Sequence, residues 1–247
     1  LAAGDRIRAD PAYVPMLLLI LLAVFTKSAQ FPWHFWLPEA MAAPTPVSAY
    51  LHSATLVKAG IFLMARLHPA LAGTALWFWV VGGTGLATLL GGAYLAVFQH
   101  DLKGLLAYST ISHLGLITLL FGLDDPLATV AAIFHTLNHA TFKASLFMAA
   151  GAIDHETGSR DMRQLNGLWP LMAVTAVLAI TSTLAMAGVP LLNGFLSKEM
   201  FFAETLLVER HVFIGVLAVS TAVATWELAG AMRRGVGIQV PLPVLIV

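Results

Sequence analysis

The chain contains no cysteine and very little charge. None of its 247 residues is Cys and only 11% are Asp, Glu, Lys or Arg, whereas soluble domains usually carry about 25%. The absence of thiols excludes disulfide frameworks, thiolate metal sites and cysteine nucleophiles. The 13 basic and 13 acidic residues balance, so the chain has no basic field for nucleic acid and we expect no such partner.

Apolar residues take the place of the missing charge. They make up 59% of the chain, which predicts an all-α, polytopic transmembrane helical bundle, because a bilayer core about 30 Å thick needs roughly 20 apolar residues per helix. Connections are short, so residues 1–247 are expected to form one transmembrane domain. The predicted spans are about 12–29, 46–67, 74–98, 104–122, 127–152, 170–188 and 212–231, with a shorter piece at about 193–207.

The ends and loops of the chain give weaker indications. The first residue is not Met, no signal-peptide pattern is visible, and the last residues are apolar, so we expect an internal piece of a longer protein. If the spans alternate, the polar connection 154–166 shares a membrane side with Lys103 and with Arg233 and Arg234. The positive-inside rule favours the cytoplasm for that side.

Two segments interrupt the helical pattern. Four prolines fall within FPWHFWLPEAMAAPTPVSAY at 31–50, and AGVPLLNGFLSKE at 187–199 carries Gly188, Pro190 and Gly194. Non-helical backbone at membrane depth survives only where it is buried in protein or lines a polar cavity. Two broken spans in corresponding positions therefore predict inverted repeats around an ion site. Ordinary interfacial loops are the alternative.

Every lysine of the chain lies inside or at the end of an apolar stretch. A charge at mid-bilayer costs about 2.5–3.5 kcal/mol on insertion scales, so such residues face the bundle interior and mark ion or proton paths. Lys58, which follows His52, has apolar-rich sequence on both sides and needs an acid, water or the neutral form. The alternative for Lys27 is snorkelling to the interface. The five are Lys27, Lys58, Lys103, Lys143 and Lys198.

A ladder of titratable residues lies in the span 127–152. His135, His139 and Lys143 follow one another at intervals of four, so they share one face of a helix. Imidazole titrates near neutral pH, which makes this face a candidate proton path rather than a set of structural core residues. A zinc pair is the other alternative, but HTLNH lacks the HEXXH glutamate and Lys143 would repel a cation.

The remaining charges carry less information. Lys198 and Glu199 follow the second break, and adjacent residues on a helix point about 100° apart, so they need not pair. By pattern alone, Asp101 and Lys103 are loop charges, and Glu227 is a buried acid in the last span.

Nothing in the chain indicates covalent catalysis or a cofactor. GGTG at 82–85 has no preceding strand and no P-loop lysine, and it fits helix packing in membranes.

Four stretches together resemble the proton-antiporter-like membrane subunits, which are the pumping subunits of respiratory complex I and their relatives in Mrp-type sodium/proton antiporters. The stretches, in the order that family has, are KSAQFPWHFWLPEAMAAPTPVSAYLHSATLVKAG at 27–60, DLKGLLAYSTISHLG at 101–115, HTLNHATFKASLFMAAG at 135–151 and GVPLLNGFLSKEMFF at 188–202.

The resemblance implies two inverted repeats of five helices, each with one broken helix. It implies that Lys27 is the pump lysine of the first broken helix, with its acidic partner outside this chain, and that Lys198 is the charged residue of the second. Lys58 and the ladder on 127–152 match the family's central polar axis. The candidate proton path is Lys27, His52, Lys58, Lys103, His135, His139, Lys143, Lys198 and Glu199.

Within that family, Lys58, the Lys198–Glu199 pair and DHETGSRDMRQLNGL at 154–168 resemble the A-type subunit of the Mrp-type antiporters. The resemblance implies a multi-pass subunit of the bacterial inner membrane, with other membrane subunits, protons, Na+ and the lipid bilayer as its partners. The alternative is the proton-pumping antiporter-like subunit of respiratory complex I. A non-conducting scaffold and an organic-solute carrier are further alternatives, although the ionisable axis suits a carrier poorly.

Overall fold

A computed structural model describes residues 4–123 and 125–207. Within this part of the chain every regular element is helical, as the composition predicts, whereas the expected span 212–231 and Glu227 lie outside it. The helices are α1 Gly4–Ala9, α2 Tyr13–Lys27, α3 Trp36–Glu39, α4 Thr45–Ser53, α5 Leu56–Leu71, α6 Ala75–Trp77, α7 Gly83–Val97, α8 Leu102–Gly122, α9 Pro126–Thr157, α10 Ala173–Ala187 and α11 Asn193–Leu207, with a 3₁₀ turn at Ala40–Ala42 and a π-helical turn at Phe78–Gly82.

Three helical stretches of the described residues are long and apolar enough to cross a membrane: Thr45–Leu71, Ala75–Val97 and Leu102–Gly122. α2 and α10 are also apolar, but each has 15 residues, which is about 22 Å of helix and less than the hydrocarbon core of a bilayer. Both end at a predicted break, after which the chain resumes as another helix. They are therefore the first halves of interrupted spans.

Both predicted breaks are present. Residues 28–35 separate α2 from α3, and the indole Nε1 of Trp36 donates to the carbonyl of Thr26 across the gap at 3.0 Å. Between α10 and α11, Gly188 ends the helix in the left-handed region at φ +82°. A Cβ on Gly194 would overlap the carbonyl of Ala185, so glycine is required there for the returning chain to pack against α10.

A third interruption was not predicted. The expected span 46–67 is divided at Ala54 and Thr55, where α4 ends and α5 begins. The hydroxyl of Ser53 donates to the carbonyl of Ala49 at 2.6 Å, and that of Thr55 to Tyr50 at 3.1 Å. Side-chain hydroxyls thus compete for the carbonyls at the end of α4, a break without the proline or glycine that marks the other two.

α7 and α8 pack backbone against backbone through glycine. A Cβ on Gly85 would overlap the backbone of Leu119, and one on Gly115 would overlap the backbone of Leu89. This close approach maximises van der Waals contact between the helices, which is the main source of helix association in a bilayer. Within the GGTG cluster, Gly85 is thus a packing position, whereas a Cβ on Gly83 would meet nothing within 4 Å.

One end of the bundle is formed by residues 99–103 and 154–163, here called the loop end. The amide of Leu102 donates to the carbonyl of Arg160 at 3.0 Å, and that of Met162 to His100 at 2.9 Å. An ion pair of 3.2 Å joins Arg160 to Asp101, whose carboxylate also caps α8. The polar connection thus shares an end with the start of α8, as alternation of the spans requires.

Candidate functional site

α9 carries the predicted ladder into the protein interior. The helix begins at Asp125, whose carboxylate accepts from the amide of Leu127 at 2.8 Å, with proline in the first turn. His135, His139 and Lys143 lie on one face, and each side chain is at most 1% exposed. The three side chains thus lie together on one buried face of α9.

His113 of α8 completes the ladder, and the sequence analysis did not select it. Its Nδ1 lies 2.9 Å from Nε2 of His135, and the two rings stack with centroids 5.2 Å apart and planes 6° apart. His113 was quoted only within a family motif. The signal that could have found it is its position as the one imidazole in the apolar span 104–122.

The contacts of His135 fix the direction of its hydrogen bonds. Its Nδ1 lies 3.1 Å from Oγ of Ser197, whose single hydrogen is already donated to the carbonyl of Gly194 at 3.0 Å. Ser197 must therefore accept from Nδ1–H of His135. With both rings neutral, Nε2 of His135 in turn accepts from His113, so a directed chain of donors runs from α8 through α9 to α11.

His139 lies beside the hydrogen-bond chain formed by His113, His135 and Ser197. Its ring centroid is 5.3 Å from that of His113 and 5.4 Å from that of Phe142. Neither ring nitrogen has a hydrogen-bond partner among the described residues. Lys143 is one turn further along α9, and Thr136, whose carbonyl accepts from Lys58, is three residues before His139.

The two central lysines are held by neutral acceptors. Nζ of Lys58, in the first turn of α5, donates to the carbonyl of Thr136 at 2.9 Å. Nζ of Lys143 donates to Oγ of Ser109 at 2.8 Å and to the carbonyl of Leu106 at 3.3 Å. Within 4 Å of either amine the described residues place no carboxylate. Hydroxyl and carbonyl oxygens accept from an amine in either protonation state, so neither lysine is fixed as an ammonium ion.

The second break is attached to the ladder. Nζ of Lys198, a half-buried side chain, donates to the carbonyl of Ala187 at the end of α10 at 2.8 Å, where a cation also complements the helix dipole. The side-chain amide of Asn138 donates to the backbone carbonyl of Asn193 at 3.0 Å, and the side-chain amide of Asn193 donates to Oδ1 of Asn138 at 3.2 Å. Together with Ser197, these contacts join the α10–α11 break to the buried face of α9.

Two candidates lie apart from the ladder. Lys27 ends α2 with an exposed side chain, and Glu199 is exposed on α11. Neither makes a contact with the buried face of α9 among the described residues.

His52 and Lys103 lie on the loop-end side of the ladder. His52 is fully buried, with its ring centroid 4.5 Å from that of Phe147. Lys103 is 4% exposed, 3.8 Å from a carboxylate oxygen of Asp154. The interpretation of Lys103 as a loop charge is therefore wrong, because the first turn of α8 packs beneath the loop end. Asp101 is likewise a helix cap rather than a free loop charge.

The chemistry available at this site is proton exchange. Over residues 4–123 and 125–207, no group of three His, Asp or Glu side chains is arranged to hold a metal ion. What the buried face offers is imidazoles, amines and hydroxyls, of which His113, His135 and Ser197 form one set of hydrogen bonds and Lys143 and Ser109 another. These groups can bind and release protons in sequence.

Comparison with known proteins identifies the family of the chain. Residues 5–225 match the family model described as NADH:quinone oxidoreductase/Mrp antiporter, TM. The chain belongs to this family. The fold predicted from the sequence resemblance is confirmed by a solved structure of the Mrp complex from Dietzia sp. DQ12-45-1b, which matches with a TM-score of 0.84 at 44% identity and covers 92% of this chain and 26% of that chain.

Curated relatives in the family are named as antiporter subunits, which are transporters rather than enzymes. The probable A/B-type subunit of a K(+)/H(+) antiporter of Rhizobium meliloti (strain 1021) is 67% identical over 91% of this chain and 22% of its own length. The A-type subunit of a Na(+)/H(+) antiporter of Alkalihalophilus pseudofirmus is 57% identical over 82% of this chain and 27% of its own. The chain thus spans about a quarter of the length of the relatives it matches.

Proposed function

We propose that this chain is a stretch of the A-type subunit of an Mrp-type multisubunit antiporter, and that its buried ladder carries protons in exchange for a monovalent cation. The carrying observation is the directed hydrogen-bond chain from His113 through His135 to Ser197, with Lys58 and Lys143 held by neutral acceptors beside it. Among the relatives, one is named as a subunit of a K(+)/H(+) antiporter and another as a subunit of a Na(+)/H(+) antiporter. Na+ is the cation proposed here, in a bacterial inner membrane with other membrane subunits as partners.

The proposed mechanism uses the ladder as a relay. A proton bound at Lys58 passes by way of His139 and its neighbours to Lys143. Lys58 donates to the carbonyl of Thr136, three residues before His139, and Lys143 follows His139 by one turn of α9. Lys198 gates one exit through its hold on the α10–α11 break. Lys27 acts as a charge switch whose acid lies outside the chain. An opposite charge that approaches such a lysine favours its protonated form, and withdrawal of that charge releases the proton.

The test uses inverted membrane vesicles that carry the complete antiporter operon and a fluorescent pH-gradient dye. Na+ or K+ is added to a preformed gradient, with wild type and Lys143→Met compared. Methionine preserves most of the buried side-chain volume while removing the titratable amine. Arg66→Met, which removes an exposed cation from α5, is the matched control.

We expect cation-triggered collapse of the gradient in wild type and in Arg66→Met, and its loss in Lys143→Met. A response to K+ and not to Na+ would support the proton relay and show that K+, rather than Na+, is the exchanged cation. If NADH forms the gradient, no cation collapses it and Lys143→Met abolishes it, the chain belongs to the complex I alternative. Unchanged transport in Lys143→Met would mean that the ladder is structural.

A further inference from the structure

The polar face of α9 does not end at Lys143. Asp154 lies eleven residues further along the helix, which is about three full turns, so it returns to within about 20° of the same face at a distance of about 16 Å. Phe147 and Ala150 occupy the intervening positions on α9 and are buried. The ladder on α9 is therefore followed by an apolar gap and then by an acid at the loop end.

Asp154 and Lys103 form a pair with one partner inside and one facing water. The amine of Lys103 lies 3.8 Å from the carboxylate of Asp154, and the two side chains are 5% and 33% exposed. The same amine donates to the carbonyl of Ala43 at 3.3 Å. The pair thus connects the solvent at the loop end with the starts of α4 and α8.

Other charges of the loop end are engaged elsewhere. Arg160 pairs with Asp101, and hydrogen bonds from Arg163 lower the pKa of Asp161 to about 2. The charged and titratable groups of the described loop end are His100, Asp101, Lys103, Asp154, His155, Glu156, Arg160, Asp161 and Arg163. Among them, Lys103 and Asp154 make the ion pair that reaches the interior.

α4 fills the apolar gap with polar groups. Thr45, Ser48 and His52 recur at helical spacing on its buried face. The hydroxyl of Ser48 lies 3.4 Å from the carbonyl of Ala43, the same oxygen that accepts from Lys103. His52, one turn further in, has no hydrogen-bond partner for either ring nitrogen among the described residues. Its ring centroid lies 4.5 Å from that of Phe147, which is one turn beyond Lys143 on α9.

Close packing holds α4 in this position. A Cβ on Gly151 of α9 would lie 2.6 Å from Cγ2 of Thr45, so glycine lets the start of α4 approach α9 between Lys143 and Asp154. The seam between the two helices is consequently lined by Thr45, Ser48 and His52. These three polar residues lie along α4 between the loop end and the turn of α9 that follows Lys143.

We propose that Asp154 and Lys103 form the port through which protons pass between water at the loop end and Lys143, along the α4–α9 seam by way of His52. This inference rests on the proposed function and adds a residue, Asp154, that the sequence analysis did not select. Asp154 exchanges protons with water. Lys103 passes them inward and is held against α4 by the carbonyl of Ala43.

The test is Asp154→Asn in the same vesicles with the complete operon. Removal of a group that transfers protons should slow cation-triggered collapse of the gradient by about tenfold or more. Asp154→Glu keeps a carboxylate and should restore transport. The matched control is Glu156→Gln, an exposed acid two residues along the same helix end, which should leave the rate unchanged. Thermal stability of the detergent-solubilised complex is measured for each variant.

The outcomes separate the port from the proposed function. Slow transport in Asp154→Asn, normal stability and recovery in Asp154→Glu would support the port. A normal rate in Asp154→Asn, while Lys143→Met is inactive, would overturn the port and retain the ladder. Lower stability in Asp154→Asn without recovery in Asp154→Glu would show that the pair only fastens the loop end, which also overturns the port. Normal transport in Lys143→Met would remove the function on which the port depends.

Discussion

Nδ1 of His113 lies 2.9 Å from Nε2 of His135, with the two imidazole planes 6° apart. Two rings in this arrangement can share a proton between nitrogens but cannot both be charged without strong repulsion, because the interior screens charges poorly. The pair therefore carries at most one extra proton at a time. Its orientation is set by Ser197, which accepts from the far side of His135.

His113→Phe should abolish cation-coupled proton transport. Phenylalanine keeps an aromatic ring in the stack but leaves Nε2 of His135 without a donor, so the hydrogen-bond chain from His113 to Ser197 loses its first member. The rate of gradient collapse in vesicles measures the effect. His155→Phe, at an exposed position beyond the ladder, is the control. Wild-type transport in His113→Phe would show that the relay bypasses α8.

Ser197→Ala should slow transport and lower stability. The substitution leaves Nδ1–H of the buried His135 without an acceptor, which costs about 1–3 kcal/mol. Ser182→Ala is the matched control, since Ser182 donates to Ser145 at 2.7 Å between α10 and α9, outside the ladder. Both variants should reduce thermal stability, and only Ser197→Ala should reduce transport. Equal transport in the two would mean that Ser197 has no part in the relay.

Gly85→Leu should weaken the α7–α8 pair. A side chain there overlaps the backbone of Leu119, and overpacking of this kind costs about 1–3 kcal/mol or more. Gly91→Leu tests the same change on the same helix, at a position where a Cβ meets nothing within 4 Å. The thermal stability and yield of the detergent-solubilised complex should fall for Gly85→Leu only. A similar loss in both would attribute the effect to leucine itself.

Gly188→Ala should disturb the second break more than Gly158→Ala disturbs the end of α9. Both glycines have φ in the left-handed region, at +82° and +68°, where a Cβ costs roughly 1–2 kcal/mol. A Cβ on Gly188 would also lie 2.6 Å from Cδ of Lys198, whereas one on Gly158 meets nothing. We expect a stability loss in both variants and a transport defect in Gly188→Ala alone. Normal transport in Gly188→Ala would contradict the gating role of Lys198.

Some features of the structure could be predicted from the sequence and others could not. The ladder His135, His139 and Lys143 could be predicted because all three lie on one helix, where spacing alone fixes the face. The break at Gly188 could also be predicted, because proline and glycine carry their conformational preferences in the sequence. The interruption at Thr55 could not, because it depends on hydroxyl groups that compete for nearby carbonyls.

The sequence by itself determined the membrane class, the described helical spans apart from the division of 46–67, the two glycine- and proline-marked breaks and the face shared by the titratable residues of α9. Each follows from periodicity or local backbone preference. Only the tertiary structure decided that His113 joins this face from another helix, that Lys103 is buried against Asp154, and that Lys27 lies apart. These are contacts between residues far apart in the chain, and helix packing sets them because no local rule fixes which faces meet.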